Sequence, residues 1–161
     1  MMEQALFAAG CFWGVQYYFD QIPGVTKTTV GYTGGHTEHP TYEEVCTHTT
    51  GHAEAVLVEF DPAVVTYEVL LKQFFRMHDP TQLNRQGPDI GDSYRTAIFY
   101  FDDTQKTSAE AAKQAAQASF EKPIVTEISE AGPFYEAEEY HQKFAERTGR
   151  GMCHVDYEPI R

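Results

Sequence analysis

At 161 residues, with 42% hydrophobic and 14% aromatic content, the chain can bury the core of a single globular domain spanning residues 1–161. A formal net charge of −12 repels polyanions, which excludes nucleic acid and anionic membrane surfaces as partners and favours a monomer that stays in solution. Met1-Met2-Glu3-Gln4 has neither the basic nor the apolar region of a signal peptide, and no apolar run is long enough to span a membrane, so a soluble, cytoplasmic protein is expected.

Gln4 to Ala9 reads as a short buried strand, and Val15 to Gln21 carries apolar residues at helical spacing. Ile22-Pro23-Gly24 marks a turn, after which Val25 to Tyr32 alternates as a strand into the loop Thr33-Gly34-Gly35. One helical turn is expected over Pro40 to Cys46, and a strand over Ala53 to Phe60 that closes at Asp61-Pro62. Thr66 reads as the N-cap of a helix whose apolar stripe of Val69, Leu70, Phe74 and Met77 runs to Asp79-Pro80, where the residue before proline disfavours helix. Thr81 to Ser93 reads as a long polar loop, and Tyr94 to Phe101 as a strand. Thr107-x-x-Glu110 has the form of a capping box for an Ala-rich helix reaching about Phe120. Ile124 to Ser129 reads as a strand and Glu136 to Arg147 as the last helix, with a coil-rich tail from about residue 148 to 161. The order β-α-β-β-α-β-α-β predicts an α+β fold, a ferredoxin-like split β-α-β sandwich with a mixed or antiparallel sheet and helices packed on it. Gly31-x-x-Gly34-Gly35 lacks the Lys-Ser/Thr of a phosphate loop and reads as turn chemistry.

The three cysteines, Cys11, Cys46 and Cys153, form no Cys-x-x-Cys pair, which argues against a disulfide framework and against a four-cysteine zinc site. Cysteine here is expected to do chemistry. Cys11 stands between a strand and a helix in Gly10-Cys11-Phe12-Trp13-Gly14, beside two large aromatics, one of them the only Trp. At a helix N-terminus the free N–H groups and the positive end of the macrodipole favour a thiolate, so this cysteine reads as a nucleophile in an apolar cup.

Six motifs in one order carry a family resemblance: Gly10-Cys11-Phe12-Trp13-Gly14, Gly31-Tyr32-x-Gly34-Gly35, Pro40-Thr41-Tyr42-Glu43-Glu44-Val45-Cys46, Gly51-His52-Ala53-Glu54, His78-Asp79-Pro80-Thr81-Gln82 and Asn84-Arg85-Gln86-Gly87-x-Asp89-x-Gly91. Together they resemble the signatures of A-class peptide methionine sulfoxide reductases over about Ala5 to Cys153. The resemblance implies reduction of the S epimer of methionine sulfoxide to methionine. In that pattern Cys11 is the nucleophile, and Phe12 and Trp13 form the wall against which the methyl and thioether pack. Glu54 is the acid for the sulfoxide oxygen, Tyr42 and Tyr94 donate hydrogen bonds to it, and Asp89 helps to position water or the substrate backbone. Attack leaves Cys11 as a sulfenic acid, so the resemblance makes Cys153 the resolving thiol of a Cys11–Cys153 disulfide that thioredoxin, or another dithiol, reduces. Some family members carry two cysteines in this tail; this chain has one. The resemblance calls for neither a metal nor a bound cofactor.

Two other readings compete. A cysteine hydrolase would use His52 or His141 as base, although neither lies in a recognisable hydrolase context. A metal or oxidised-peptide binding module would use Cys46-x-His48-x-x-x-His52, which supplies only three soft ligands. Strand periodicity alone makes Glu54 a solvated carboxylate, and Cys46 is expected to be buried and inert.

Overall fold

The computed structural model describes residues 2–148; the expected tail, with Cys153, lies outside the described residues. In chain order the elements are β1 (Glu3–Ala9), α1 (Phe12–Asp20), β2 (Val25–Thr33), α2 (Tyr42–Cys46), β3 (Ala53–Phe60), α3 (Tyr67–Met77), β4 (Arg85–Gln86), β5 (Asp89–Ile90), β6 (Thr96–Tyr100), α4 (Asp103–Ala116), β7 (Glu127–Glu130), β8 (Phe134–Glu136) and α5 (Phe144–Thr148). Six strands form one sheet in the order β7-β6-β1-β3-β2-β8, and β4 and β5 pair as a small hairpin. Every ladder of the large sheet is antiparallel except β6 with β7.

The four inner strands hold the architecture. β1 and β2, joined by α1, run parallel but have β3 between them; β3 and β6, joined through α3, run parallel but have β1 between them. This is the split β-α-β arrangement expected from the sequence, in an α+β fold with a mixed sheet. One face carries Phe7, Val30, Tyr32, Val56, Val58 and Ile98 against Phe19 of α1 and Leu70 and Phe74 of α3. The Phe7 ring lies between those of Phe19, at 5.2 Å, and Phe74, at 5.3 Å. The other face is built from smaller residues, Ala8, Ala53, Ala55 and Ala97 beside Leu6 and Phe99, and is covered by chain at Ala131 and Phe134. Among the described residues no helix is long and apolar enough to cross a membrane.

Several boundaries move from their expected places, each for a local reason. α1 begins at Phe12, because Gly10 reverses the chain at φ 95 and Cys11 becomes the N-cap. α2 is set by a capping box, in which Thr41 Oγ1 accepts from the Glu44 N–H at 3.2 Å and Glu44 Oε1 accepts from the Thr41 N–H at 2.9 Å. In α3, Thr66 caps the Val69 N–H as expected, but Val69 itself is 41% exposed and does not belong to the buried stripe. The polar loop expected over Thr81 to Ser93 contains the β4–β5 hairpin. Tyr94 is not in a strand: Gly91, at φ 138, opens a 3-10 turn over Asp92–Tyr94, and β6 starts two residues later opposite Ala9.

α4 starts ahead of the expected capping box. Asp102 is its N-cap, accepting from the Gln105 N–H at 2.8 Å, and leaves Thr107 inside the helix. Of the strand expected from Ile124, only the part from Glu127 joins the sheet, since the Ile124 and Val125 N–H groups donate to Gln117 Oε1 and the Pro80 carbonyl. The single helix expected over Glu136 to Arg147 divides into the end of β8, a 3-10 turn over Glu139–His141 and α5. Tertiary bonds outweigh helix propensity there. The Gln142 side chain accepts from the Val30 N–H at 3.0 Å and donates to the Val30 carbonyl at 2.9 Å, while Lys143, at φ 59, reaches Asp20.

Gly31 pairs with Glu136 of β8 at the site's edge of the sheet, and a Cβ there would stand 2.4 Å from the Tyr135 carbonyl oxygen and 2.5 Å from the Phe134 ring. Gly31→Ala is therefore expected to destabilise the protein by about 2 kcal/mol through forced displacement of β8. Chemical denaturation checks this; an unchanged midpoint would mean that β8 does not pack against β2.

Candidate active site

Cys11 is the N-cap of α1, and its side chain caps no helical N–H group. The Phe12 N–H instead donates to Glu54 Oε1 at 3.1 Å, so a carboxyl from β3 sits at the first turn of the helix, beside the cysteine. Glu54 is on the face of β3 that Val56, Val58 and Phe60 share, and it is 1% exposed rather than solvated as strand alternation alone suggests. Its second oxygen, Oε2, is also buried and has no hydrogen-bond partner. Burial pushes the Glu54 carboxyl up to about 8, partly opposed by the Phe12 N–H and aided by the charge of Asp89. At neutral pH Glu54 thus carries a proton, and one of its oxygens is free to engage a newcomer.

Three tyrosines converge on this carboxyl from different elements. Tyr42 opens α2, Tyr94 ends the 3-10 turn, and Tyr32 lies opposite Glu54 in the β2–β3 register. Burial raises the Tyr42 phenol, and the Glu54 charge and a hydrogen bond to the Cys46 thiol raise it further. Burial likewise raises Tyr94, with further contributions from the charges of Glu54, Cys46, Asp89 and Cys11. Both phenols remain hydrogen-bond donors throughout the neutral range. Asp89, on β5, is half-buried, and its charge acts on both Glu54 and Tyr94.

Glu138, which sequence reasoning missed, ties these elements together. Its Oε1 accepts from the Tyr32 phenol at 2.9 Å and its Oε2 from the Tyr42 N–H at 3.0 Å. Burial works to raise its carboxyl, but the backbone N–H groups of Tyr42 and of Glu138 itself, with the Tyr32 phenol, outweigh this and hold it below the usual carboxylate range. The buried Glu54 and the half-buried Glu138 are thereby driven in opposite directions.

The aromatic wall is larger than Phe12 and Trp13. Phe12 is 1% exposed, packed against Tyr32 at 5.7 Å and His141 at 5.3 Å, while Trp13 is half-buried and stacks on Phe144 at 4.0 Å. The Trp13 indole N–H donates to His141 Nδ1 at 2.9 Å, which requires that nitrogen to be unprotonated. Burial holds His141 below its ordinary value, with the Glu138 charge opposing. Glu138, His141 as a wall residue and Phe144 are hidden in the sequence because residues 136–147 read as a single helix, and Tyr32 is visible there only within Gly31-Tyr32-x-Gly34-Gly35. The one signal available was the density of aromatic residues from Phe134 to Phe144.

Of the two histidines weighed as a hydrolase base, His141 lies in the aromatic wall with its Nδ1 taken by the Trp13 N–H. His52 Nδ1 accepts from the Gly35 N–H at 3.1 Å and Nε2 lies 2.7 Å from the Thr37 carbonyl, so both ring nitrogens are used in fixing a loop. Among the described residues no group of three His, Cys, Asp or Glu side chains is placed to hold a metal ion. Cys46 is half-buried rather than fully buried, and burial raises its thiol against the opposing effect of the Tyr42 hydrogen bond.

The chain that builds this arrangement has known relatives. The chain is 56% identical over 154 residues to the peptide methionine sulfoxide reductase MsrA of Geobacter sulfurreducens, covering 94% of this chain and 95% of the relative. The reduced form of Mxr1 from Saccharomyces cerevisiae superposes with a TM-score of 0.89 at 33% identity, over 93% of this chain and 87% of that one. Mxr1 in complex with Trx2 gives a TM-score of 0.65 at 26% identity, over 89% and 85% of the two chains. The model of the peptide methionine sulfoxide reductase family matches residues 3–161, and the chain belongs to that family.

Proposed function

We propose that the chain reduces the S epimer of methionine sulfoxide, free or within proteins, by attack of the Cys11 thiolate on the sulfoxide sulfur. One observation carries this reading: the protonated Glu54 keeps a buried oxygen unpartnered while its other oxygen holds the N–H of the residue after Cys11. A sulfoxide presents an electrophilic sulfur, a polar oxygen and a methyl group. The positive end of α1 favours the thiolate, and a neutral Glu54 leaves that thiolate without an anionic neighbour at the same point.

As the Cys11–sulfur bond forms, Glu54 passes its proton to the sulfoxide oxygen, and the Tyr42 and Tyr94 phenols stabilise the charge that builds there. The oxygen, now a hydroxyl, is then transferred to Cys11 as both its bond to the substrate sulfur and the Cys11–sulfur bond break. Methionine leaves, Cys11 becomes a sulfenic acid, and Glu54 regains a proton from solvent. Phe12 and Trp13 set the wall for the methyl and thioether, and Asp89 orients water or substrate backbone at the rim. The Cys153 thiol next displaces the sulfenic oxygen as water and forms the Cys11–Cys153 disulfide. A dithiol reduces that bond to two thiols and is itself oxidised. Thioredoxin is the reductant in this reading, supported by the capture of Mxr1 with Trx2. A cycle that consumes thioredoxin suits a monomer working in the reducing cytoplasm.

Methionine release from each sulfoxide epimer without reductant tests the scheme. Wild type is expected to release methionine from the S epimer alone and Cys11→Ser from neither, while Cys153→Ser gives one equivalent and no cycling with thioredoxin. Sustained thioredoxin-driven turnover by Cys153→Ser would falsify the resolving role.

Glu54→Gln keeps an acceptor for the Phe12 N–H but removes the proton, so single-turnover methionine release is expected to slow by about 100-fold. The wild-type rate should also fall as pH rises through about 8, where Glu54 loses its proton. Stability gives an independent check. Between its usual 4.5 and about 8, Glu54 holds a proton in the folded protein that the unfolded chain has released. Wild-type stability therefore declines across that window as pH rises. Glu54→Gln escapes the decline, and its advantage in unfolding free energy should grow to a few kcal/mol, on the order expected for such a linkage. A constant difference between the two proteins from pH 5 to 8 would contradict a buried, proton-holding Glu54.

A further inference from the structure

His48 takes no part in the scheme above, yet it is held unusually tightly against the turn that carries Tyr94. Its backbone lies in the left-handed region at φ 60, a conformation that glycine and asparagine adopt more readily than histidine. Its ring covers Gly91 so closely that a Cβ on that glycine would fall 2.2 Å from His48 Cε1. Nδ1 stands 3.5 Å from Asp92 Oδ1 and 3.4 Å from Ser93 Oγ, and the ring meets that of Tyr94 edge-on with centroids 6.3 Å apart. One side chain thus touches each residue from Gly91 to Tyr94. Asp92 Oδ1 is buried without a hydrogen bond, so the imidazole is the polar group placed to face it. On its own side, the His48 N–H donates to the Val45 carbonyl at 3.0 Å, which fastens it to the end of α2, the helix of Tyr42 and Cys46.

The turn has a second anchor, but on its far side. Arg95 donates through Nη1 to the Asp92 carbonyl at 2.9 Å and through Nε to Glu127 Oε1 at 3.2 Å. That anchor fixes the turn to β7, and the His48 ring joins it to the end of α2. Tyr42 and Tyr94 sit on two short elements, a five-residue helix and a three-residue turn, that share no strand.

We propose that His48 is a positioning residue that clamps the 91–94 turn to the end of α2 and so sets the spacing of the Tyr94 and Tyr42 phenols at the sulfoxide oxygen. This rests on the role given to Tyr94 above. A left-handed histidine over an obligatory glycine is the structural form of the clamp, and the strain at residue 48 is offset by the contacts its ring makes.

The test is a set of single-turnover measurements on methionine S-sulfoxide, with substrate concentration varied, for His48→Gly, His48→Asn, Tyr94→Phe and the double variant His48→Gly/Tyr94→Phe. Glycine relieves φ at residue 48, so the fold is kept while the clamp is lost. The rate at saturating substrate should drop about tenfold in His48→Gly, as misplacement of a catalytic donor costs, with the half-saturating concentration little changed. His48→Asn, which tolerates the same φ and presents an amide N–H to Asp92, should recover most of that loss. In the Tyr94→Phe background the glycine substitution should cost less than about twofold, because the phenol it positions is gone. Equal losses from His48→Gly in both backgrounds, or none in either, would overturn the clamp while leaving Tyr94 in place. Tyr94→Phe at the wild-type rate would instead remove the phenol's role and the clamp's purpose with it.

Discussion

A helix that starts directly after a strand exposes its first N–H groups, and they need acceptors. Cys11 occupies the N-cap without capping, and the Phe12 N–H finds Glu54 Oε1 across the sheet. That bond decides much else. It requires Glu54 to face the helix side of β3, where burial leaves it protonated, and it joins the start of α1 to a neighbouring strand, so Cys11 and Glu54 cannot drift apart independently. A Ser or Asp at the N-cap would reach the N–H of the second or third helical residue and would leave that of Phe12, the first, still in need of an acceptor such as Glu54.

The contrast between Glu54 and Glu138 shows how one environment assigns two roles. Glu54 is fully buried and Glu138 half-buried, and burial works to raise both. Glu138 receives a phenol and a neighbouring backbone N–H on separate oxygens, and these bonds favour its charged form. Glu54 receives a single N–H and keeps its proton. The ionised group acts as a brace between β2, α2 and the chain after β8, and the neutral group is available to donate. Pairs of carboxyls pushed apart in this way are the general means by which acid chemistry is run at neutral pH. Here the brace also holds the Tyr42 backbone, through the N–H that Glu138 accepts.

Much of the fold was legible in the sequence, since the inner strands are marked by unambiguous local signals. β3 was bounded correctly by the run Ala53 to Phe60, and Thr66 and Asp79-Pro80 bracketed α3. Elements whose form depends on distant partners were not legible. The region from Glu136 to Arg147 has helical composition throughout, yet Gln142 is held extended by Val30, more than a hundred residues earlier in the chain. Tyr94 was drawn into a strand by its β-forming neighbours, when Gly91 and Asp92 had already committed the chain to a turn. Cys11 stands out in the sequence because glycines and aromatics frame it within five residues. The brace and most of the aromatic wall come from residues read as an ordinary helix, and no local pattern separates such residues from surface.

Buried polar atoms without partners locate where the fold has given up stability. Among the described residues they are Thr37 Oγ1, Glu54 Oε2, Tyr67 Oη, Asp92 Oδ1 and His141 Nε2. Three of the five belong to residues in or beside the cysteine site. Each such group costs about 1–3 kcal/mol when left unsatisfied, so their concentration at one place is a large charge against a marginally stable domain. A site that completed these hydrogen bonds internally would be more stable, but it would have no free oxygen to meet a sulfoxide. Glu54 Oε2 can be satisfied by substrate only because the fold leaves it unsatisfied, and the packing of Phe7, Phe19 and Phe74 on the same face of the sheet supplies the stability that permits this. The aromatic core and the incomplete acid are therefore two sides of one arrangement: β3 carries both, its later residues in the core and its second residue, Glu54, at the thiol.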